Sequence, residues 1–183
     1  MATTLTAFTE NPAEAGAPVA DGIMALVPGV VRSVLEAYVT FGVPTLTEHQ
    51  QLRLFNELVA LYLHLFDRIA FSEFGPDGRS SFVDSLSVEL ATRLAELSGR
   101  TLSEEGLTLF RNFIDVRQAQ YSQWPELMEP AGQPKGGALI WESSKVINDS
   151  IGHGHPGGVL ALHLMLGAHV ITLLKANREA ESA

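Results

Sequence analysis

Glu57, His64, Asp67 and Arg68, gathered in one stretch of the chain, are of the types that carry acid–base, metal or anion chemistry. On a helix His64 reaches Asp67 at i+3 and Arg68 at i+4, and Glu57 lies two turns below on the same side. Ala60 between them leaves a gap that a ligand or a neighbouring backbone could fill. A histidine beside a carboxylate suits a general base, with Arg68 gripping an anionic group bidentately. His64 and Asp67 could instead supply two ligands to a divalent metal, the rest coming from another helix. The plainer alternative is a solvated helix edge laced with intrahelical pairs. That alternative is favoured, because mixed charges at i+3 and i+4 are common on wet faces.

The turn Gly152-His153-Gly154-His155-Pro156-Gly157-Gly158 is the second candidate. His153 and His155 would chelate a metal if the loop were rigid, with Asp149 one turn earlier as a further donor. The glycines make this backbone permissive, so a structural or solvated role is preferred. Gly152, Gly154 and Gly157 also match Gly-x-Gly-x-x-Gly ahead of a helix, where a phosphate could sit. No secure strand leads in, none follows, and Pro156 lacks a donor, so the match carries little weight. His163 and His169 fall on different faces of one helix and are expected to be partly buried and bonded to neighbours. There is no Glu-x-x-His, His-Glu-x-x-His, nucleophile elbow or P-loop. The residues leave the identity of any cofactor unknown.

The elements that must position these residues are helices. The spacing predicts a central helix from Thr47 to Phe74, entered through overlapping capping boxes, Thr45 with Glu48 and Thr47 with Gln50. Gly75 and Pro76 end it. Arg53, Asn56, Glu57, Ala60, His64, Asp67 and Arg68 share a narrow polar stripe, and most of the remaining perimeter is apolar. Such a helix packs against neighbours on several sides. Before it, Pro28 to Phe41 reads as a helix, with Ile23 to Val27 as an extra apolar turn. Tyr38 would bury its ring there and needs a partner for its hydroxyl.

After the central helix, Arg79 to Leu97 buries Val83, Leu86, Leu90, Leu94 and Leu97 and stops at Gly99. Thr101 with Glu104 caps a fourth helix whose Leu107, Phe110, Phe113, Ile114, Arg117 and Tyr121 share a face. Pro125 to Gly137 is a loop and the best candidate for a mobile segment or internal boundary. Ala138 to Ile151 is read as a helix, and Val159 to Lys175 as a last, almost wholly apolar helix buried in the core. The sum is an all-α chain, a five- or six-helix antiparallel bundle or orthogonal array with a long central helix at 47–74. Residues 1–20 form a flexible lead-in, 21–176 one helical domain and 177–183 a frayed tail.

Composition narrows the function. With 46% hydrophobic and 18% charged residues, the 183-residue chain is a well-cored globule. A net charge of −9, with no basic cluster to reverse it, disfavours nucleic acid and an anionic membrane surface. The chain has no cysteine, which excludes disulfides and thiolate chemistry and suits a cytoplasmic location. The N-terminus does not look like a secretory signal.

Two readings follow. The first is association, as a homo-oligomer, most simply a homodimer, or with a protein partner, because the central and last helices carry more apolar perimeter than one neighbour can cover. Tyr121, Trp124 and Trp141 are of types enriched at interfaces. The second is a small-molecule or metal site, possibly catalytic, around Glu57, His64, Asp67 and Arg68. It needs the stripe to face an enclosed cavity, and a shielded His64 with convergent partners would raise it above the first. Membrane association through the last helix is a third, less favoured possibility, since His163 and His169 interrupt the apolar run.

Overall fold

Apolar residues at helical spacing, fenced by glycine and proline, fold into five helices: α1 (Gly16–Thr40), α2 (Glu48–Leu97), α3 (Glu104–Tyr121), α4 (Leu139–Ser150) and α5 (Pro156–Glu181). The computed structural model describes residues 11–127 and 138–181, and no strand occurs among them. The all-α expectation holds. The helices group into two units, one built from the residues through Leu26 together with Val59–Gln120, the other from Val27–Leu58 together with Tyr121–Arg178.

α1 begins well before the expected start at Pro28. Val19, Ile23, Val27, Val30 and Val34 form a continuous buried face at helical spacing. Pro28 lies inside the helix on its exposed side, where it supplies no N–H for the carbonyl one turn back. A proline read as a first-turn residue is here an interior one. The lead-in expected over residues 1–20 is therefore shorter, since Ala15, Val19 and Ala20 are fully buried. Residues 1–10 of that lead-in lie outside the described residues.

α2 is two helical arms joined at a sharp bend. The Thr47–Gln50 capping box forms as expected: the Gln50 N–H donates to Thr47 Oγ1 at 3.3 Å and the Thr47 N–H to Gln50 Oε1 at 2.9 Å. The first arm stops at Gly75, whose φ of 67° and ψ of −173° leave the helical region for one where a side chain is disfavoured. Pro76 then opens the second arm, whose buried face is Phe82, Leu86, Leu90 and Ala91. Leu97, expected in that face, is 70% exposed. The second arm closes as predicted, with Gly99 at positive φ and the Arg100 N–H on the Ala95 carbonyl at 2.9 Å.

The cap of α3 is Ser103 rather than Thr101, its hydroxyl accepting the Gly106 N–H at 3.0 Å. α4 has no side-chain cap. Instead the Leu139 and Ile140 N–H groups donate to the carbonyls of Glu126 and Leu127, at 2.7 and 3.2 Å. Residues 128–137 of the predicted mobile loop lie outside the described residues. α4 buries two hydroxyls, Ser143 and Ser144, both donating to the Ile140 carbonyl.

α5 corrects two expectations. Its backbone stays helical to Glu181, through most of the tail expected to fray. It is also not a buried core helix. Ala161, Leu162, Leu166 and Val170 face the interior, but Leu160, Leu164 and Ile171 are 41%, 45% and 39% exposed. A helix apolar on all sides carries no polar face to announce which side points outward.

Candidate functional site

The polar stripe of the central helix is neither the wet edge that was favoured nor a set of uncommitted ligands. Glu57, His64 and Asp67 are only 3%, 4% and 3% exposed. Each is engaged by a neighbouring element, and the stripe divides between the two units.

In the second unit, the lower part of the stripe holds the C-terminus of α4. Ser150 Oγ donates to Glu57 Oε1 at 2.5 Å, and Arg53 donates to the Ser150 carbonyl at 3.0 Å. Gln50 Nε2 donates to the Ile151 carbonyl at 3.1 Å. These carbonyls close the last turn of α4 and have no helical donor of their own, and the Arg53 cation complements the negative end of that helix. Glu57 thus serves a helix end.

In the first unit, Asp67 is clasped by Arg79, with Nε on Oδ1 at 2.5 Å and a terminal nitrogen on Oδ2 at 2.7 Å. Both carboxylate oxygens are used, so the His64–Asp67 metal pair of the sequence reading is replaced by a fork-to-fork ion pair. The bond favours the charged form of Arg79 and raises its pKa. His64 Nδ1 meets Gln118 Oε1 of α3 at 2.5 Å. An amide oxygen only accepts, so Nδ1 carries the proton and Nε2 is the basic nitrogen. Burial lowers the pKa of His64, opposed by the Gln118 bond and the Asp67 charge and assisted by Arg68 and Arg79. Arg68 is half-buried beside this group. The arrangement is a neutral imidazole next to a neutralised ion pair.

Sequence reasoning missed Arg79 and Gln118. The signal for Arg79 was present in Gly75-Pro76: a chain that bends there brings the start of the next arm towards the end of the first. Nothing local marks Gln118, which arrives from a helix distant in sequence.

The histidine-rich turn is built for packing. His153 Nε2 donates to the Pro44 carbonyl at 3.1 Å, and His155 Nδ1 accepts the Gly157 N–H at 3.1 Å. Their rings stand edge to face with centroids 6.4 Å apart. The lone pair of His155 Nδ1 is therefore spent on backbone. Among the described residues, no three His, Asp or Glu side chains gather in a metal-binding group. The phosphate-cradle alternative loses two donors as well, since Gly157 and Gly158 both give their N–H groups to His155. His163 is partly buried as expected and packs edge-on against Trp141, ring centroids 5.0 Å apart, but its buried Nδ1 makes no hydrogen bond among the described residues, contrary to the bonded role expected of it.

Two helices, α1 and residues 156–173 of α5, are long and apolar enough to cross a bilayer by length and composition, each stretch with a mean hydropathy of 1.5. Of the α5 stretch only 33% is buried. Compared with family models, curated proteins and solved structures, the chain matches none.

Proposed function

We propose that the protein acts by association in the cytoplasm, through the outward face of α5 and most simply with a second copy of itself. The observation that carries this reading is the exposed line Leu160, Leu164 and Ile171, on a stretch that bears no Asp, Glu, Lys or Arg from Pro156 to Leu173. A contiguous apolar helix face of this kind marks an interaction site. The acidic charge of −9 makes two copies repel elsewhere, so an uncharged face is where they can meet at least electrostatic cost. Nucleic acid is disfavoured by the same charge.

Sedimentation of the full chain tests the proposal. A dimer that Leu164→Glu converts to monomer is the expected result. A monomeric wild type across the micromolar range would overturn it, and solubility only in detergent would favour a membrane instead.

A second reading, a small-molecule site at His64, is favoured by one observation: His64 is shielded and Gln118 converges on it. Shielding and convergence were expected to raise this reading above association, but association is placed first because the converging groups pair within the protein, Asp67 with Arg79 and Glu57 with Ser150. Elemental analysis and ligand extraction of wild type and His64→Ala would separate the two. Bound material lost in the variant would reinstate the site.

A further inference from the structure

The start of α5 presses against α1 and α4 so closely that glycine is required. A Cβ on Gly158 would overlap Asn148 Oδ1 and lie 3.6 Å from Tyr38 Oη. Both side chains are 2% exposed. Tyr38 stacks edge-on with His153, ring centroids 6.1 Å apart, and the His153 N–H donates to the Asn148 carbonyl at 3.3 Å. Two buried polar atoms thus meet over Gly158, Tyr38 Oη and Asn148 Oδ1, and a third, His153 Nδ1, is buried on the ring that stacks against Tyr38. None has a hydrogen-bond partner among the described residues.

The chemistry of these atoms defines what would satisfy them. Because His153 Nε2 donates to a carbonyl, Nδ1 of the neutral ring offers a lone pair. Asn148 Oδ1 is an acceptor, and the Tyr38 hydroxyl can both donate and accept. The first N–H groups of α5 are spent on His155, so an anion would find acceptors here rather than donors. Tyr38 Oη and Asn148 Oδ1 face one point over Gly158, which puts them within about 6 Å of each other, the span one atom bridges with two ordinary hydrogen bonds. A buried polar atom left without a hydrogen-bond partner is destabilising, so the junction has reason to hold a bridging group.

We infer that Tyr38, Asn148 and His153 form a binding site for one water-sized hydrogen-bond donor, a water molecule or an ammonium ion, that pins α1, α4 and the start of α5 together. The bound group donates to Asn148 Oδ1 and His153 Nδ1, and a water also accepts from Tyr38. This site is independent of the association proposed for the far side of α5.

Atomic-resolution crystals of the full chain, grown with and without ammonium salts, test the inference. A density peak within hydrogen-bonding distance of all three atoms under both conditions identifies water. A peak seen only with ammonium identifies the cation. A direct Tyr38–Asn148 hydrogen bond with no peak in either crystal overturns the site. In solution, oxygen-17 relaxation dispersion should count one long-lived water fewer in Tyr38→Phe, a variant that keeps the ring packing. An unchanged count in a folded Tyr38→Phe, together with crystals that show no ammonium peak, would also overturn it.

Discussion

Arg79 grips both oxygens of Asp67 although twelve residues separate them along α2. In a straight helix that separation is about 18 Å, beyond the combined reach of the two side chains. The pair therefore exists only because α2 bends at Gly75. Phe74 and Phe82 close the same bend from its apolar side, ring centroids 6.3 Å apart.

Removing the cation leaves a buried carboxylate without its counter-charge. Arg79→Ala is expected to destabilise the protein by about 1–3 kcal/mol, below the full cost for a buried pair because Arg79 is itself partly in water. Arg79→Lys should recover only part of this, since an ammonium cannot reproduce the two-pronged geometry. Urea midpoints of the three proteins measure the effect.

The lowered pKa of His64 has a definite signature in pH. A base whose folded pKa lies below its unfolded value near 6.5 binds protons more readily when unfolded. Its contribution is complete above that value and is lost as pH falls through the folded pKa. Stability should thus decline on acidification below about pH 6.5, and the slope should be shallower in His64→Gln. Desolvation also lowers His169, so part of the slope should persist until His169→Gln is added.

How far these relationships could be read from sequence depends on their range. The central helix with its stop at Gly75, the Thr47–Gln50 box and the Gly99 stop follow from residues within a turn of each other, and they appear as expected, whereas α1 starts a dozen residues before Pro28. The polar stripe was also correctly placed on one side of the central helix. Its surroundings were not legible, because Gln118, Ser150 and Arg79 come to it through tertiary packing. The need of Tyr38 for a hydroxyl partner was visible from its apolar neighbours, but the identity of Asn148 and Gly158 as its surroundings was not. Pro28 and α5 misled for opposite reasons: one is a strong local signal overridden by a buried face, the other a uniform composition with no directional signal.

Packing between α1 and the second arm of α2 should be intolerant of a single methyl group. A Cβ on Gly16 would overlap Ser85 Oγ and lie 2.7 Å from Ser85 Cβ and 2.8 Å from the Leu86 backbone nitrogen. Because one obstacle is backbone, a rotamer change cannot relieve it. Gly16→Ala is expected to cost about 1–3 kcal/mol despite its gain in helix propensity, read as a fall in Tm.

Pro28 offers the reverse experiment. It is exposed and interior to α1, so Pro28→Ala restores a backbone donor without disturbing the core. The variant should gain about 1–3 kcal/mol, reduced somewhat by the greater freedom of its unfolded chain. Calorimetry would show a higher Tm, whereas a lower one would mean that the proline sets a bend the fold needs.

The bend at Gly75 also bears on the order in which the chain organises itself. Closing a segment of a dozen residues sacrifices little chain entropy, and the sacrifice grows only with the logarithm of its length. The clasp between Asp67 and Arg79 is thus among the earliest tertiary links this polypeptide can make, well ahead of the pairing of Asp21 with Arg93 across 72 residues. The bend of α2 is therefore expected to form before Asp21 finds Arg93, which φ-values higher at Asp67 than at Asp21 would show.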